Sequence, residues 1–529
     1  MSGSDIFVWR RTGVCSGKTG QEGKMKIAGL DIGTTGCKCT VFDEKGRMLG
    51  KAYRNYLVKR AVSGHEVDVS AIMDGVYACL KETAGDYPDI AGIGITSFGE
   101  TFVMTDREGK PLHTAMLYTD PRGSEECRKL SDILGEKEIA GITGLRPHEM
   151  YSISKIMWMK EHEPSVYEKA AYIFLMEDYV VYHLTGKRQI DYSLATRTMA
   201  FDIRNLDWSE EIFDAAGIDW AKMSRPVQTG TDAGNITKEV AERTGMPENV
   251  HIVSVSHDQV AAAVGAGVFD SSVAVDGAGT VECLTPIYDE IPDVDIMYQG
   301  YFSIVPYVIP GKYAAYAFSY TGGALMQWCT ETLAGKEKEL AEAEGISVNE
   351  YLEREYARFT ASGHNPEVCP SGLLVLPHFA GAATPYMDTG AKGAVVGLTT
   401  DTSVAEIYRG CMEGVVYEMY LNLKALEGSG IRFQKLHATG GGAASREWTQ
   451  MKADVLGLPV TSLKTSDAGT VGCAMLTGIA IGAFTDLEDA ASRMVEKTRT
   501  YEPRWEMHEK YMEIYKRYEK LYKAVRPLV

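Results

Sequence analysis

Short apolar runs that stop at an acidic residue followed by glycine and threonine give this chain its pattern. Ile27 to Leu30 is such a run, as expected of a buried strand. Asp31 interrupts it, Gly33, Thr34, Thr35 and Gly36 follow, and a β-prone run from Lys38 to Phe42 returns to the turn Asp43-Glu44-Lys45-Gly46. The segment Val273 to Leu284 repeats the scheme with Asp276, Gly277, Gly279 and Thr280 between two strands. Each is, taken singly, as well read as an ordinary tight hairpin. As a pair half a chain apart, they predict two related halves facing each other.

The remaining pattern is that of an α/β protein. A strand over Ala52–Val58 and a helix over Val69–Glu82 precede a buried strand, Ala91–Thr96, which ends at Ser97-Phe98-Gly99-Glu100-Thr101. Phe102–Met104 is a further strand, and Leu112–Tyr118 leads into Thr119-Asp120-Pro121-Arg122. Apolar spacing from Tyr151 to Trp208 predicts helices, followed there by Ile190-Asp191-Tyr192-Ser193. The strand His251–Ser256 delivers His257, Asp258 and Gln259 to a helix over Val260–Val268. Further on come a helix start at Gly322–Trp328, charged helical sequence over 333–364, a strand at Leu373–Phe379 and a loop ending Pro385-Tyr386-Met387-Asp388. A long core helix carries Val404, Ile407, Cys411, Val415, Met419 and Leu423 after Asp401-Thr402-Ser403. The strand Leu436–Thr439 runs into Gly440-Gly441-Gly442 and a helix over Arg446–Leu456, then an apolar helix over Thr470–Phe484. The tail 503–529 alternates charges with Tyr and Trp, as an amphipathic surface helix does.

Composition narrows the class. A chain of 529 residues makes two or more domains, and 45% hydrophobic with 24% charged residues is ordinary for a globular protein. A net charge of −18 and a pI near 5.2 argue against nucleic-acid or anionic-membrane partners and favour a cytoplasmic enzyme. Ten cysteines without a C-x-x-C pair indicate neither zinc nor a disulfide framework, and no run of 18 apolar residues predicts a membrane span. Residues 1–24 lack a signal-peptide core and read as a disordered leader or an over-extended gene start. Their Gly13-Val-Cys-Ser-Gly17-Lys18-Thr19 is rejected as a P-loop, having three residues between its glycines rather than four, and no helix after.

The hairpin glycines let backbone N–H groups approach an anion, and a strand-end carboxylate such as Asp31 can hold Mg2+. Polar residues at strand ends, Glu100 and Asp120 here, sit where an open α/β sheet places its ligand, although each is equally read as a turn or cap residue. Asp258 in a first helical turn is stabilised as the anion, which suits a general base; the alternative is a plain N-cap. His257 reads as a packed or capping residue. Three glycines between strand and helix at 440–442 fit a flat ligand or phosphate on the backbone, or a structural crossover.

At this point the sequence resembles the FGGY carbohydrate kinases of the actin-like ATPase superfamily. The motifs carrying this are GLDIGTT at 29–35, AMLYTDPR at 115–122, DYS at 191–193, SHDQVAAAVGAG at 256–267, GAGT at 277–280, PYMD at 385–388 and GGGAASREWTQMKADVLG at 440–457. The resemblance implies two RNase H-like domains enclosing a cleft, a sugar-binding one over 25–268 and a nucleotide-binding one over 269–500, with 501–529 a C-terminal helix. It implies ATP and Mg2+, with Asp31 near the metal, and Thr34, Thr35, Gly279, Thr280, Gly323, Gln327 and Gly442 on the nucleotide. Asp258 would be the catalytic base, and Glu100, Asp120 and Gln259 would face the substrate. Glycerol kinases carry Arg-Glu-Thr where Gly99-Glu100-Thr101 stands, and Tyr at Met150; xylulokinases carry Met-His-Gly near Phe98-Gly99-Glu100. These departures point away from glycerol. The Glu100 charge points away from acidic sugars and leaves a neutral ketose or polyol as the expected acceptor. Asp276 is unusual for the family and reads as a second metal-shell carboxylate or a turn former. The alternatives are an actin-like ATP-binding regulator or a kinase of a non-carbohydrate alcohol. Homodimers are common among similar proteins.

Overall fold

The computed structural model describes residues 25–61, 64–361, 370–465 and 467–529. The leader, its Gly13–Thr19 stretch and the end of the 333–364 segment lie outside the described residues. Two sheets repeat one strand order. In the first, Met48–Asn55, Gly36–Asp43 and Lys26–Ile32 are antiparallel neighbours; Ile90–Ser97 and His251–His257 add in parallel, and Thr231–Asn235 closes the edge antiparallel. In the second, Ala317–Ser319, Glu282–Tyr288 and Val273–Ala278 form the antiparallel part, Lys435–Thr439 and Val460–Leu463 the parallel part, and Lys497–Tyr501 the antiparallel edge. The repeat expected from the two hairpins is thus carried by whole sheets.

The halves meet through two helices stripped of side chains where they cross. A Cβ on Gly265 would lie 1.9 Å from the Ala468 carbonyl, and one on Gly472 would lie 1.9 Å from that of Ala261. Only glycine allows such an approach. These helices, Asp258–Gly265 and Ala468–Ala480, share a buried core with Ile27, Val253, Val275 and Leu463, drawn from both sheets. Asp31, Gly33 and Asp258 therefore sit at strand ends over a fixed base.

Local signals fix most elements. The helix Val404–Gly428 opens with a capping box in which Ser403 and Glu406 each accept the other's backbone N–H. Asp68 caps Val69–Asp86 by accepting the Ser70 N–H at 2.9 Å. Two elements depart from expectation: the strand expected over Ala52–Val58 is split between Met48–Asn55 and Val58–Ala61, in different sheets, and Tyr172–Leu175, inside the stretch read as helical, is an edge strand antiparallel to Phe102–Thr105. Four apolar residues in a row carry no period, so helix and strand were not separable there. No helix among the described residues is long and apolar enough to cross a membrane.

Candidate active site

The first hairpin tip closes through a Gly33 N–H donated to the Gly36 carbonyl at 2.9 Å, and Tyr56 braces it, its N–H on Thr35 O at 3.0 Å and its hydroxyl on Gly33 O. Thr34 is half-buried and Thr35 exposed at the tip. In the second, the Gly279 N–H bonds Val281 O at 3.0 Å, and the N–H groups of Gly322, Gly323 and Ala324 bond the tip carbonyls at 2.9–3.1 Å. That seats the helix Gly323–Thr332 on Gly279 and Thr280. A Cβ on Gly323 would lie 2.8 Å from Gly279 O, and one on Gly442 would meet the Trp448 ring at 2.8 Å and Ala278 at 3.0 Å. Gly279 and Gly323 thus approach each other without side chains, and Gly442 packs against Ala278 of the same hairpin. Gln327 lies a turn further on, exposed, with its amide on Glu331 of the same helix at 2.8 Å.

Asp31 pairs across the hairpin with Lys38 at 3.1 Å, and Lys38 also reaches Asp467 at 2.7 Å. Burial raises the Asp31 carboxyl above its ordinary range, with Lys38 acting against it. Lys38 thus bridges two carboxylates at the hairpin and supplies Asp31 with a counter-charge.

Asp258 opens its helix at the end of the parallel strand His251–His257. Burial, with Asp31 and Glu100 adding repulsion, pushes its carboxyl up to about 7. His257 lies beneath, its Nδ1 3.2 Å from the Tyr316 hydroxyl and its Nε2 3.3 Å from Asp258 Oδ1. Burial, then the positive Arg197, hold this imidazole well below its usual pKa, so it is neutral. The imidazole therefore bridges the Tyr316 hydroxyl and the Asp258 carboxyl. The DYS motif supports the arrangement from behind: Asp191 accepts the N–H groups of Ser193 and Leu194, and the Ser193 hydroxyl accepts the His257 N–H at 2.9 Å. Gln259 follows on the same turn, and its N–H donates to the Asp258 carboxylate.

Glu100 adopts a left-handed backbone at φ 61° and is buried. Its Oε1 accepts from Arg197 Nε at 2.6 Å and from a second guanidinium nitrogen. Arg197 itself lies between the Tyr151 and Tyr316 rings, 5.2 and 5.5 Å from their centroids. This pair changes the reading of Glu100: its charge is paired with Arg197, and Oε2 is left without a hydrogen-bond partner among the described residues. Arg197 was within reach of the sequence, six residues past the Asp191 motif, but its partner is 97 positions away.

Two assignments are corrected. Asp120 does not present a free oxygen to substrate: it is buried, both its oxygens are held by Arg122 at 2.6–2.8 Å, and Oδ2 also accepts the His65 N–H at 2.7 Å. Asp276 is neither a metal-shell carboxylate nor a turn former. It is fully buried 2.7 Å from Lys452 Nζ, which also binds Glu282 of the same hairpin.

Two matched sheets, two glycine tips and a half-buried carboxylate pushed toward neutrality between them define a phosphotransferase on the actin-like ATPase fold. Residues 26–265 match the N-terminal domain and 279–481 the C-terminal domain of the FGGY family of carbohydrate kinases, and the chain belongs to that family. It is a phosphotransferase with an alcohol group as acceptor. The chain is similar to a xylulose kinase of Staphylococcus epidermidis (strain ATCC 12228 / FDA PCI 1200), 26% identical over 513 residues, 96% of this chain and 98% of that one. It is 29% identical over 496 residues to a glycerol kinase of Citrifermentans bemidjiense, covering 91% and 94% of the two chains. Among solved structures, a ligand-bound xylulose kinase from Lactobacillus acidophilus shares the fold with a TM-score of 0.84 at 21% identity, over 95% of this chain and 98% of that one.

Proposed function

We propose that the protein transfers the terminal phosphoryl group of ATP to a hydroxyl of a small sugar or polyol, with Asp258 as the general base. The observation that carries this is Asp258 itself, a carboxylate poised near neutrality, oriented by His257 and facing Asp31. Phosphoryl transfer asks the protein mostly for alignment and charge stabilisation. The two tips and Gly442 offer backbone N–H groups and room for phosphates and base. Asp31 would hold Mg2+, whose bound charge would offset that of the phosphates. Asp258 accepts the acceptor's hydroxyl proton, and Glu100 Oε2 accepts a hydrogen bond from a neighbouring hydroxyl. Closure of the two halves would keep water from competing as acceptor.

The test is ADP release from ATP and Mg2+ against ketoses, polyols, aldoses and sugar acids, followed by a pH profile on whichever is used. A base must be ionised to act, so kcat/KM is expected to fall about tenfold per unit of pH below ~7 and to level off above it. A flat profile between pH 5.5 and 8 would remove Asp258 from the role. Glu100→Gln is expected to raise KM for the acceptor while leaving KM for ATP within about twofold, since a neutral amide keeps one acceptor oxygen but breaks the charge pair with Arg197. Equal changes in both constants would take Glu100 away from the substrate.

A further inference from the structure

The base stands in the first half, but one of the groups beside it comes from the second. Tyr316 lies just before the strand Ala317–Ser319, which pairs with residues 282–284 of the second hairpin. It is buried and reaches into the first half, its ring centroid 5.5 Å from the Arg197 guanidinium and 5.4 Å from the His257 ring. We infer that Tyr316 is a positioning residue for phosphoryl transfer: its hydroxyl selects the imidazole tautomer that turns the Nε2–H of His257 toward the Asp258 carboxylate. This rests on the kinase reading above and goes beyond it by giving the second half a hold on the base.

One arrangement of hydrogens satisfies every group when the base is ready to act. A neutral imidazole has one N–H and one lone pair, and here each nitrogen faces a partner: Nδ1 the Tyr316 hydroxyl at 3.2 Å, Nε2 the Asp258 Oδ1 at 3.3 Å. A carboxylate ready to take a proton offers only lone pairs, so the nitrogen facing it must carry the hydrogen. Nδ1 must then accept, and Tyr316 must donate. A backbone carbonyl at Nδ1, a common partner of a histidine, would impose the opposite tautomer and set a lone pair against the carboxylate. A hydroxyl in that place is what makes His257 useful to the base.

The first half settles where the ring lies. The Ser193 hydroxyl accepts the His257 N–H at 2.9 Å and itself donates to Asp191 at 3.0 Å. Gly99 leaves the room the ring needs: a Cβ there would lie 3.1 Å from His257 Nε2 and 3.0 Å from Arg197 Cγ. The place of the imidazole is thus set by Ser193 and Gly99, and its hydrogen is left for Tyr316 to place. The same tyrosine ring packs on Arg197, the counter-ion of Glu100, so the neighbours of both site carboxylates meet at one residue of the second half.

The experiment compares wild type, Tyr316→Phe, His257→Leu and the double variant on whichever acceptor supports ADP release. Nitrogen-15 spectra of the histidine side chains are recorded alongside at about pH 8, above the Asp258 midpoint, with the His257 signals identified by their loss in His257→Leu. Phenylalanine keeps the ring on Arg197 and removes only the hydroxyl. Tyr316→Phe should lower kcat about 3–10-fold, the size of one hydrogen bond, with KM for acceptor and for ATP each within about twofold. The same change should cost nothing further in the His257→Leu background. Wild-type His257 should carry its proton on Nε2, and the Nδ1 signal should lose its hydrogen-bond shift in Tyr316→Phe. Wild-type kcat in Tyr316→Phe, an equal loss with and without His257, or a wild-type imidazole protonated at Nδ1 overturns the proposal and leaves the kinase standing. If no compound releases ADP, the kinase reading fails, and the spectra decide alone: Nε2 protonation with an Nδ1 signal that responds to the Tyr316 hydroxyl upholds the placement, and Nδ1 protonation or an unchanged signal ends it.

Discussion

Asp258→Asn is expected to lower kcat by about 10²–10⁴-fold while ATP binding is retained and the melting temperature does not fall. The loss follows from position: the residue opens a helix at the end of a parallel strand, and Asn keeps its size and hydrogen bonds while removing only the capacity to take a proton. The stability part follows from the sign of the shift. The folded carboxyl titrates at about 7 against an ordinary value of 3.8, so the fold prefers the protonated form. Its stabilising contribution is complete below pH ~3.8 and is lost as pH rises through ~7, which makes the ionised group unfavourable to folding at pH 8. Asn stays neutral throughout, so the variant should melt at or above wild type at pH 8 and show less decline in stability between pH 6 and 8. The measurements are single-turnover transfer, ATP titration and thermal unfolding across that range. Turnover near the wild-type rate would remove the base assignment, and a lower melting temperature at pH 8 would contradict the repulsion from Asp31 and Glu100.

The features legible in the sequence are those specified within a few residues. The tips at Gly33–Gly36 and Gly279–Val281, the strand that delivers Asp258 and the glycine run at 440–442 each combine an apolar run with a residue type that only a tight turn or a close approach requires. The whole repeat of the two sheets followed from two such hairpins. What was not legible depends on partners far apart in the chain. Glu100 looked like a free carboxylate because Arg197 reaches it only after the fold brings two strand ends and a short helix together. Asp120 looked like a ligand residue, although Arg122, two positions on, folds back to occupy it. Lys452 gave no signal at all, since lysine on a helix is read as solvent-facing. It is buried because two carboxylates of the second hairpin face it.

Lys452→Met is the substitution expected to cost the most stability. Lys452 Nζ lies 2.7 Å from Asp276 and also binds Glu282, with the Trp448 ring 4.7 Å away, and all three charged groups are almost fully buried. Burial and the neighbouring Asp276 carry Glu282 well above the usual carboxylate range, with Lys452 acting against them. Removing the lysine leaves Asp276 buried without a counter-charge, a change that costs about 3–5 kcal/mol, or about 6–20 °C in melting temperature for a domain of this size. The local consequence follows from where the triad sits. It clamps the helix Arg446–Leu456 to both strands of the second hairpin, and so holds Gly442 against Ala278 and Trp448. KM for ATP should therefore rise while KM for the acceptor stays near its wild-type value. Since the penalty is that of an unpaired charge, adding Asp276→Asn and Glu282→Gln to Lys452→Met should recover most of the stability, because neutral amides need no counter-ion. A triple variant no more stable than Lys452→Met would show that packing by the lysine stem, and not its charge, holds the helix in place.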